Sequence, residues 1–190
     1  METISLEDFK PLGKLDGFYY FDVDKRTCST RYLIRDVKGK KTMMIDSGDG
    51  KDGLDFTPDP VFLTHGHYDH TGGVKPDWPD VRLHAAEDAR LPFINIPTNA
   101  KRVDEKAILF GAHRFELHHT PGHTPGSACL FEKASGVLFS GDTKFADGGY
   151  GRTDLGGPGA EGQMAKSLEM LERVPWRTLC PGHGKIEWRN

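Results

Sequence analysis

A layered α/β fold with a metal site at the edge between two sheets is predicted by three observations. Short β-rich runs separated by turns recur along nearly the whole chain, and several of them end directly in a histidine or an aspartate. One stretch, Thr64-His65-Gly66-His67-Tyr68-Asp69-His70-Thr71-Gly72-Gly73, gathers three imidazoles and a carboxylate between an apolar run and a diglycine. Strand ends that each deliver one polar side chain to a common edge build a site between packed layers. Imidazole nitrogen and carboxylate oxygen are the donors that borderline metals such as zinc and ferrous iron take. Solvated loops favour Ser, Asn, Lys and Glu instead.

At 190 residues the chain is long enough for one well-buried core, and residues 1–190 are expected to form a single domain. A hydrophobic content of 36% with 28% charged residues suits a soluble globular protein. The formal charge of -3 provides no broad cationic face, which argues against nucleic acid as a partner. The start, Met1 to Asp8, lacks the basic and apolar parts of a secretory signal, and no run approaches the ~20 apolar residues that span a bilayer. A cytoplasmic protein that avoids membranes is therefore expected. Cys28, Cys129 and Cys180 are odd in number and far apart, so they read as reduced, buried thiols.

Taken in order, the first expected strands are Phe18 to Phe21, Tyr32 to Ile34 and Thr42 to Ile45, with the polar turn Lys38-Gly39-Lys40 joining the last two as a hairpin. Asp46 closes the third strand, either as an ordinary turn carboxylate or as a hydrogen-bond partner of the site. Val61-Phe62-Leu63 reads as a buried strand leading into the histidine cluster. On an extended exit, side chains two apart face the same way, so His65 and His67 converge on one ion. Asp69 and His70, being neighbours, must serve a second ion or support the first. Gly66 and Gly72-Gly73 allow sharp turns and close backbone approach.

Val81 to His84 is the next expected strand, and Ala85 to Leu91 a helix ended by Pro92. Ile94 to Lys106 has mixed polarity and reads as a loop or lid. Strands follow at Ala107 to Leu109 and Arg114 to His118, and then the turns of Thr120-Pro121-Gly122-His123-Thr124-Pro125-Gly126-Ser127 clamp His123 and mark it as a ligand. Cys129 to Phe131 and Gly136 to Ser140 form two more strands, the second running into Gly141-Asp142-Thr143, where the carboxylate is placed to reach a site at the sheet edge. After a glycine-rich loop, Asp147 to Gly159, the clearest helix spans Ala160 to Arg173, with Met164, Leu168, Met170 and Leu171 as its core residues. Trp176 to Cys180 is the last strand and delivers Pro181-Gly182-His183-Gly184. His84, His113, His118 and His119 fall outside the motifs and are assigned structural or surface roles.

The ordered set His65-x-His67-x-Asp69-His70, His123, Asp142 and His183 resembles the metallo-β-lactamase-fold superfamily over essentially the whole chain. The resemblance implies an αββα four-layer sandwich with metals in a groove along one edge of two facing sheets. It implies that His65, His67 and His123 hold one metal, that Asp69, His70 and His183 hold a second, and that Asp142 bridges them. Two divalent ions are implied, zinc foremost, with iron or manganese as alternatives. A hydroxide between the ions is then the nucleophile, one metal polarises the attacked carbonyl, and Asp69 orients the hydroxide and takes its proton. Asp69 and Asp142 are the implied catalytic carboxylates.

Within the superfamily, Gly141-Asp142-Thr143-Lys144-Phe145-Ala146 and Gly151-Arg152-Thr153-Asp154 look like the glyoxalase II-related branch, which also contains persulfide dioxygenases. By that likeness Arg152 and Asp154 are either a pair that steadies the site or a plain surface ion pair, and Lys144 either meets an anionic substrate or faces solvent. Glyoxalase II proper adds a C-terminal helical domain that helps to bind glutathione, whereas this chain stops soon after His183. A compact hydrolase with an open groove is expected, acting on a small thioester or ester such as a lactoyl-thiol conjugate. The alternative is a mononuclear enzyme that uses a single ferrous ion to oxidise a persulfide. A non-catalytic, metal-stabilised binding module is disfavoured because no ligand is missing. A nuclease is disfavoured by the acidic balance, and a lactam hydrolase by the lack of a signal peptide.

Overall fold

Period-two alternation along the strands sorts their side chains onto opposite faces, and that sorting generates the layers. In the computed structural model, which describes residues 3–22, 28–36, 38 and 40–189, Tyr32 and Ile34 face one core while Leu33 between them faces another. Met43 and Ile45 against Met44, and Phe62 against Val61 and Leu63, divide in the same way.

The chain opens with β1 (Thr3–Ile4), which pairs in parallel with β6 (Gly53–Leu54) as a small two-stranded sheet. A seven-stranded sheet runs in the order β2 (Lys10–Pro11), β3 (Phe18–Phe21), β4 (Arg31–Asp36), β5 (Lys41–Ile45), β7 (Val61–Leu63), β8 (Val81–His84) and β9 (Ala100–Val103). It is antiparallel as far as β5 and parallel beyond it. The expected β4–β5 hairpin is present, with Leu33 opposite Met44, although Gly39 of its turn lies outside the described residues. A six-stranded sheet follows in chain order: β10 (Ala107–Phe110), β11 (His113–His119), β12 (Ala128–Glu132), β13 (Val137–Gly141), β14 (Thr178–Pro181) and β15 (Glu187–Trp188). Only its β13–β14 pair is parallel, which requires a crossover, and α2 (Ala160–Glu172) supplies it.

The two large sheets face each other across Tyr32, Ile34, Phe62, Phe115, Leu130 and Phe139. On the outer face of the six-stranded sheet, Leu171 of α2 joins Phe131, Leu138 and Trp176. The helix buries Met164, Ser167 and Leu171 as one stripe, with Leu168 and Met170 only half-buried. The outer face of the other sheet is covered by Ile4, Phe9, Leu54 and Trp78, none of them on an α-helix. The arrangement is therefore the expected layered α/β fold with few helices, irregular chain standing in for much of one outer layer.

Two sequence expectations are corrected. Ala85 to Leu91 is a series of turns, not a helix: Arg102 takes the Ala85 and Glu87 carbonyls that a helix would use, and side chains take several of the backbone N–H groups. The His84 ring accepts from the Ala86 N–H at 3.2 Å, Glu87 from that of Asp88 at 3.2 Å, and Asp88 from that of Arg90 at 3.0 Å. The stretch from Ile94 to Lys106, read as a loop or lid, contributes the edge strand β9. No helix among the described residues is long and apolar enough to cross a membrane, and the three cysteines are free and buried.

Candidate metal centre

Four of the strand ends converge at one edge of the sandwich. His65 and His67 follow β7 through a bend at Thr64 and His65, and the single helical turn α1 (Tyr68–Thr71) then swings Asp69 and His70 back toward the same space. His123 comes from the β11–β12 connection, Asp142 follows β13 directly, and His183 follows β14. The seven predicted ligands form three overlapping groups whose donor atoms lie within 4.8 Å of one another: His65, His67 and His123; His65, His70 and Asp142; Asp69, His70 and His183.

The distances define two lobes joined by one carboxylate. His67 Nδ1 lies 3.1 Å from His65 Nε2 and 2.9 Å from His123 Nε2. In the other lobe, His183 Nε2 lies 3.3 Å from His70 Nε2 and 3.0 Å from Asp69 Oδ2. Asp142 reaches both, with Oδ1 3.4 Å from His70 Nε2 and Oδ2 3.4 Å from His123 Nε2. Its close approach needs Gly182, since a Cβ there would collide with Asp142 Oδ1 and with His70 Cε1.

Surrounding groups orient the rings. His70 Nδ1 donates to Asp46 Oδ2 at 2.8 Å, and His123 Nδ1 donates to the Arg152 carbonyl at 2.8 Å, so both rings are held with Nε2 turned toward the site. Asp46 also accepts from the Thr64 N–H at 2.8 Å and from Thr64 Oγ1 at 2.9 Å, which secures the residue before His65. Burial, reinforced by the neighbouring His70 and His123, pushes His65 well below the ordinary imidazole range, and burial together with His123 takes His67 down to about 4. Both rings are thus neutral and available as donors. Burial works to raise Asp142, but the charges of His70, His183 and His123 outweigh it and hold the carboxyl below its usual range. Asp69 is likewise lowered against burial, chiefly by its bond to His183.

Two features show that this donor set fits metal ions. Neutral imidazole nitrogens facing one another at about 3 Å cannot all be satisfied by hydrogen bonds, because each ring has a single N–H. A four-coordinate ion with bonds of about 2 Å spaces its ligands at roughly this separation. In addition, Asp142 Oδ1 is buried with no hydrogen-bond partner, a costly condition that a coordinated cation relieves.

The remaining candidates are sorted by what they touch. Asp46 belongs to the centre as a partner of His70 and Thr64. Arg152 and Asp154 pair with each other in the open, each more than half exposed, so the plain surface ion pair applies to their side chains. It is the Arg152 carbonyl that serves the site. Lys144 corrects the solvent-facing reading: it is buried and its Nζ donates to Glu172 of α2 at 2.9 Å. The sequence reading missed Thr64, although it adjoins a ligand, which was an available signal.

Comparison with known proteins gives a consistent answer. The model of the metallo-beta-lactamase superfamily matches residues 29–183. The BLEG-1 B3 metallo-beta-lactamase aligns with a TM-score of 0.71 at 27% identity, covering 90% of this chain and 93% of its own. TTHA1623 in a di-iron-bound form aligns with a TM-score of 0.66 at 29% identity, covering 88% and 94%. ETHE1 from Myxococcus xanthus, at 22% identity and a TM-score of 0.63 over 90% and 79%, shares the fold.

Proposed function

Because this chain belongs to the metallo-beta-lactamase superfamily, we propose that it is a dinuclear metal-dependent hydrolase of a small thioester or ester, lactoyl-thiol conjugates being the first substrates to try. The observation that carries the proposal is the convergence of seven donors into two lobes sharing Asp142. Zinc is the first choice of metal; the di-iron form of TTHA1623 supports iron as the next. When bound, two such ions polarise a carbonyl and lower the pKa of water to near neutrality.

The chain's own residues do the rest. His65, His67 and His123 would hold one ion and Asp69, His70 and His183 the other, with Asp142 shared between the two groups. Asp46 and the Arg152 carbonyl keep the Nε2 atoms of His70 and His123 directed inward. Asp69 is anionic at neutral pH and its side chain is 29% exposed, so its carboxylate orients the attacking water and receives the proton at an oxygen. The proton taken up by Asp69 then passes to the departing thiolate or alkoxide, which leaves as the thiol or alcohol.

Metal content per chain, measured on protein purified without chelator, tests this directly, followed by thioester hydrolysis. Near two equivalents with hydrolysis supports the proposal. Near one equivalent of ferrous iron, with no hydrolysis, turns the reading to persulfide oxidation, whose metal chemistry the same His and Asp donors satisfy. Asp142→Ala is expected to lose about one equivalent together with activity, since it removes the shared ligand; an inactive Asp142→Ala with full metal content overturns the bridging role.

A further inference from the structure

The first lobe is assembled from two segments far apart in sequence, the His65-Gly66-His67 turn and the Thr120–Ser127 connection that bears His123. Their stems are joined by one backbone bond, Ala128 N–H to the Thr64 carbonyl at 2.8 Å. Their tips meet at a side chain that belongs to neither. Glu87 is buried, and its Oε2 accepts from the Gly66 N–H at 2.6 Å and from Thr124 Oγ1 at 2.8 Å. Its Oε1 accepts from the Gly126 N–H at 3.3 Å and the Asp88 N–H at 3.2 Å. One carboxylate thus bonds the residue between His65 and His67 and also two residues that follow His123 within its connection.

The backbone is cut to admit it. A Cβ on Gly66 would lie 2.9 Å from Glu87 Cγ, and one on Gly126 would lie 2.5 Å from Glu87 Cβ. The backbone that carries Glu87 is held as well, because Arg102 of β9 donates to the Glu87 and Ala85 main-chain carbonyls. His70 in the second lobe has its own buried carboxylate, Asp46, 2.8 Å away, and no contact with Glu87.

We propose that Glu87 is the positioning residue of the His65/His67/His123 lobe: by pinning Gly66 to Thr124 and Gly126 it sets the separation of His67 from His123 and so the metal affinity of that lobe. It belongs to none of the three groups of candidate metal ligands. The inference rests on the metal reading of the site and is independent of the substrate.

The test is zinc affinity, measured by competition with a chromophoric chelator in two backgrounds. His183→Ala leaves the first lobe intact, and His123→Ala leaves the second. Glu87→Gln keeps the side-chain volume but turns an amide N–H toward a backbone donor. In the His183→Ala background it is expected to weaken zinc binding by about 10- to 100-fold, the usual effect of removing a group that orients ligands; in the His123→Ala background affinity should stay within about twofold. Equal losses in both backgrounds, or no loss in the first, overturn the proposal. Should Glu87→Gln fail to fold, Thr124→Val removes one of the bonds alone and is expected to show a smaller loss with the same selectivity; no selectivity there overturns the proposal too. A wild-type chain that binds no zinc, iron or manganese overturns the metal reading itself, and separates that failure from the failure of Glu87.

Discussion

Phe93 holds a φ of +63°, a left-handed conformation that costs a residue with a Cβ roughly 1–2 kcal/mol. Its ring is 71% exposed, so little packing offsets that cost. The conformation is imposed through the backbone: the Phe93 carbonyl accepts from the Tyr68 N–H at 3.1 Å, and His67 forms a β-bridge with Ile94. Glycine tolerates the same φ freely, at an entropic cost that takes back part of the gain. Phe93→Gly is therefore expected to stabilise the protein by about 0.5–1 kcal/mol, raising Tm by roughly 2 °C, while Phe93→Ala does not. Thermal unfolding of both variants checks this, and a Tm that falls in Phe93→Gly shows that the ring packs against the fold. The same scale separates what the residues reveal alone from what they do not. The seven ligand candidates are legible because imidazoles and carboxylates at strand ends have few other uses. Glu87 is not, because a lone glutamate in a polar stretch is indistinguishable from a surface residue until its backbone partners are brought to it.

At the scale of elements, β8 and β11 belong to different sheets, yet they meet through their last histidines. The rings of His84 and His119 stack with centroids 4.0 Å apart, and His119 Nε2 donates to the Pro125 carbonyl at 2.8 Å. Burial, followed by the neighbouring His119, pushes His84 down to about 4, against the opposing pull of Asp104. An unfolded imidazole takes up its proton near 6.5, so between these two values the unfolded chain binds the proton and the folded one resists it. Stability from this contact is thus complete above about pH 6.5, is lost as pH falls to about 4, and changes no further below. Urea midpoints of metal-free protein across that window are expected to fall less steeply for His84→Gln, and an unchanged slope refutes the role. The elements themselves were readable to different degrees. Short β-rich runs bounded by turn residues announced β4, β5 and β13, and periodicity announced α2. The expected helix at Ala85 to Leu91 failed because Arg102 and its own polar side chains take its backbone groups, a competition that composition does not reveal.

For the whole molecule, the seven donors that crowd one edge make the folded state and the metal mutually dependent. Any ion that binds only the folded chain stabilises it by about 2.7 kcal/mol at a hundredfold excess over Kd. Chelation is accordingly expected to lower Tm by roughly 5–10 °C, and the double variant His123→Ala/His183→Ala should be insensitive to chelator. A Tm that is the same with and without chelator in the wild type contradicts a metal bound at this edge. The sequence by itself determined the layered α/β class, most of the longer strands and the residue types at their ends, because β-rich runs, turn residues and donor chemistry are local properties written in the chain. Only the tertiary structure decided that Lys144 turns to Glu172, that Arg152 serves through its carbonyl, and that Glu87 joins two ligand loops. Those outcomes depend on which backbone donors and acceptors are left unpaired when distant segments meet, and that is set only once the sheets have closed on each other.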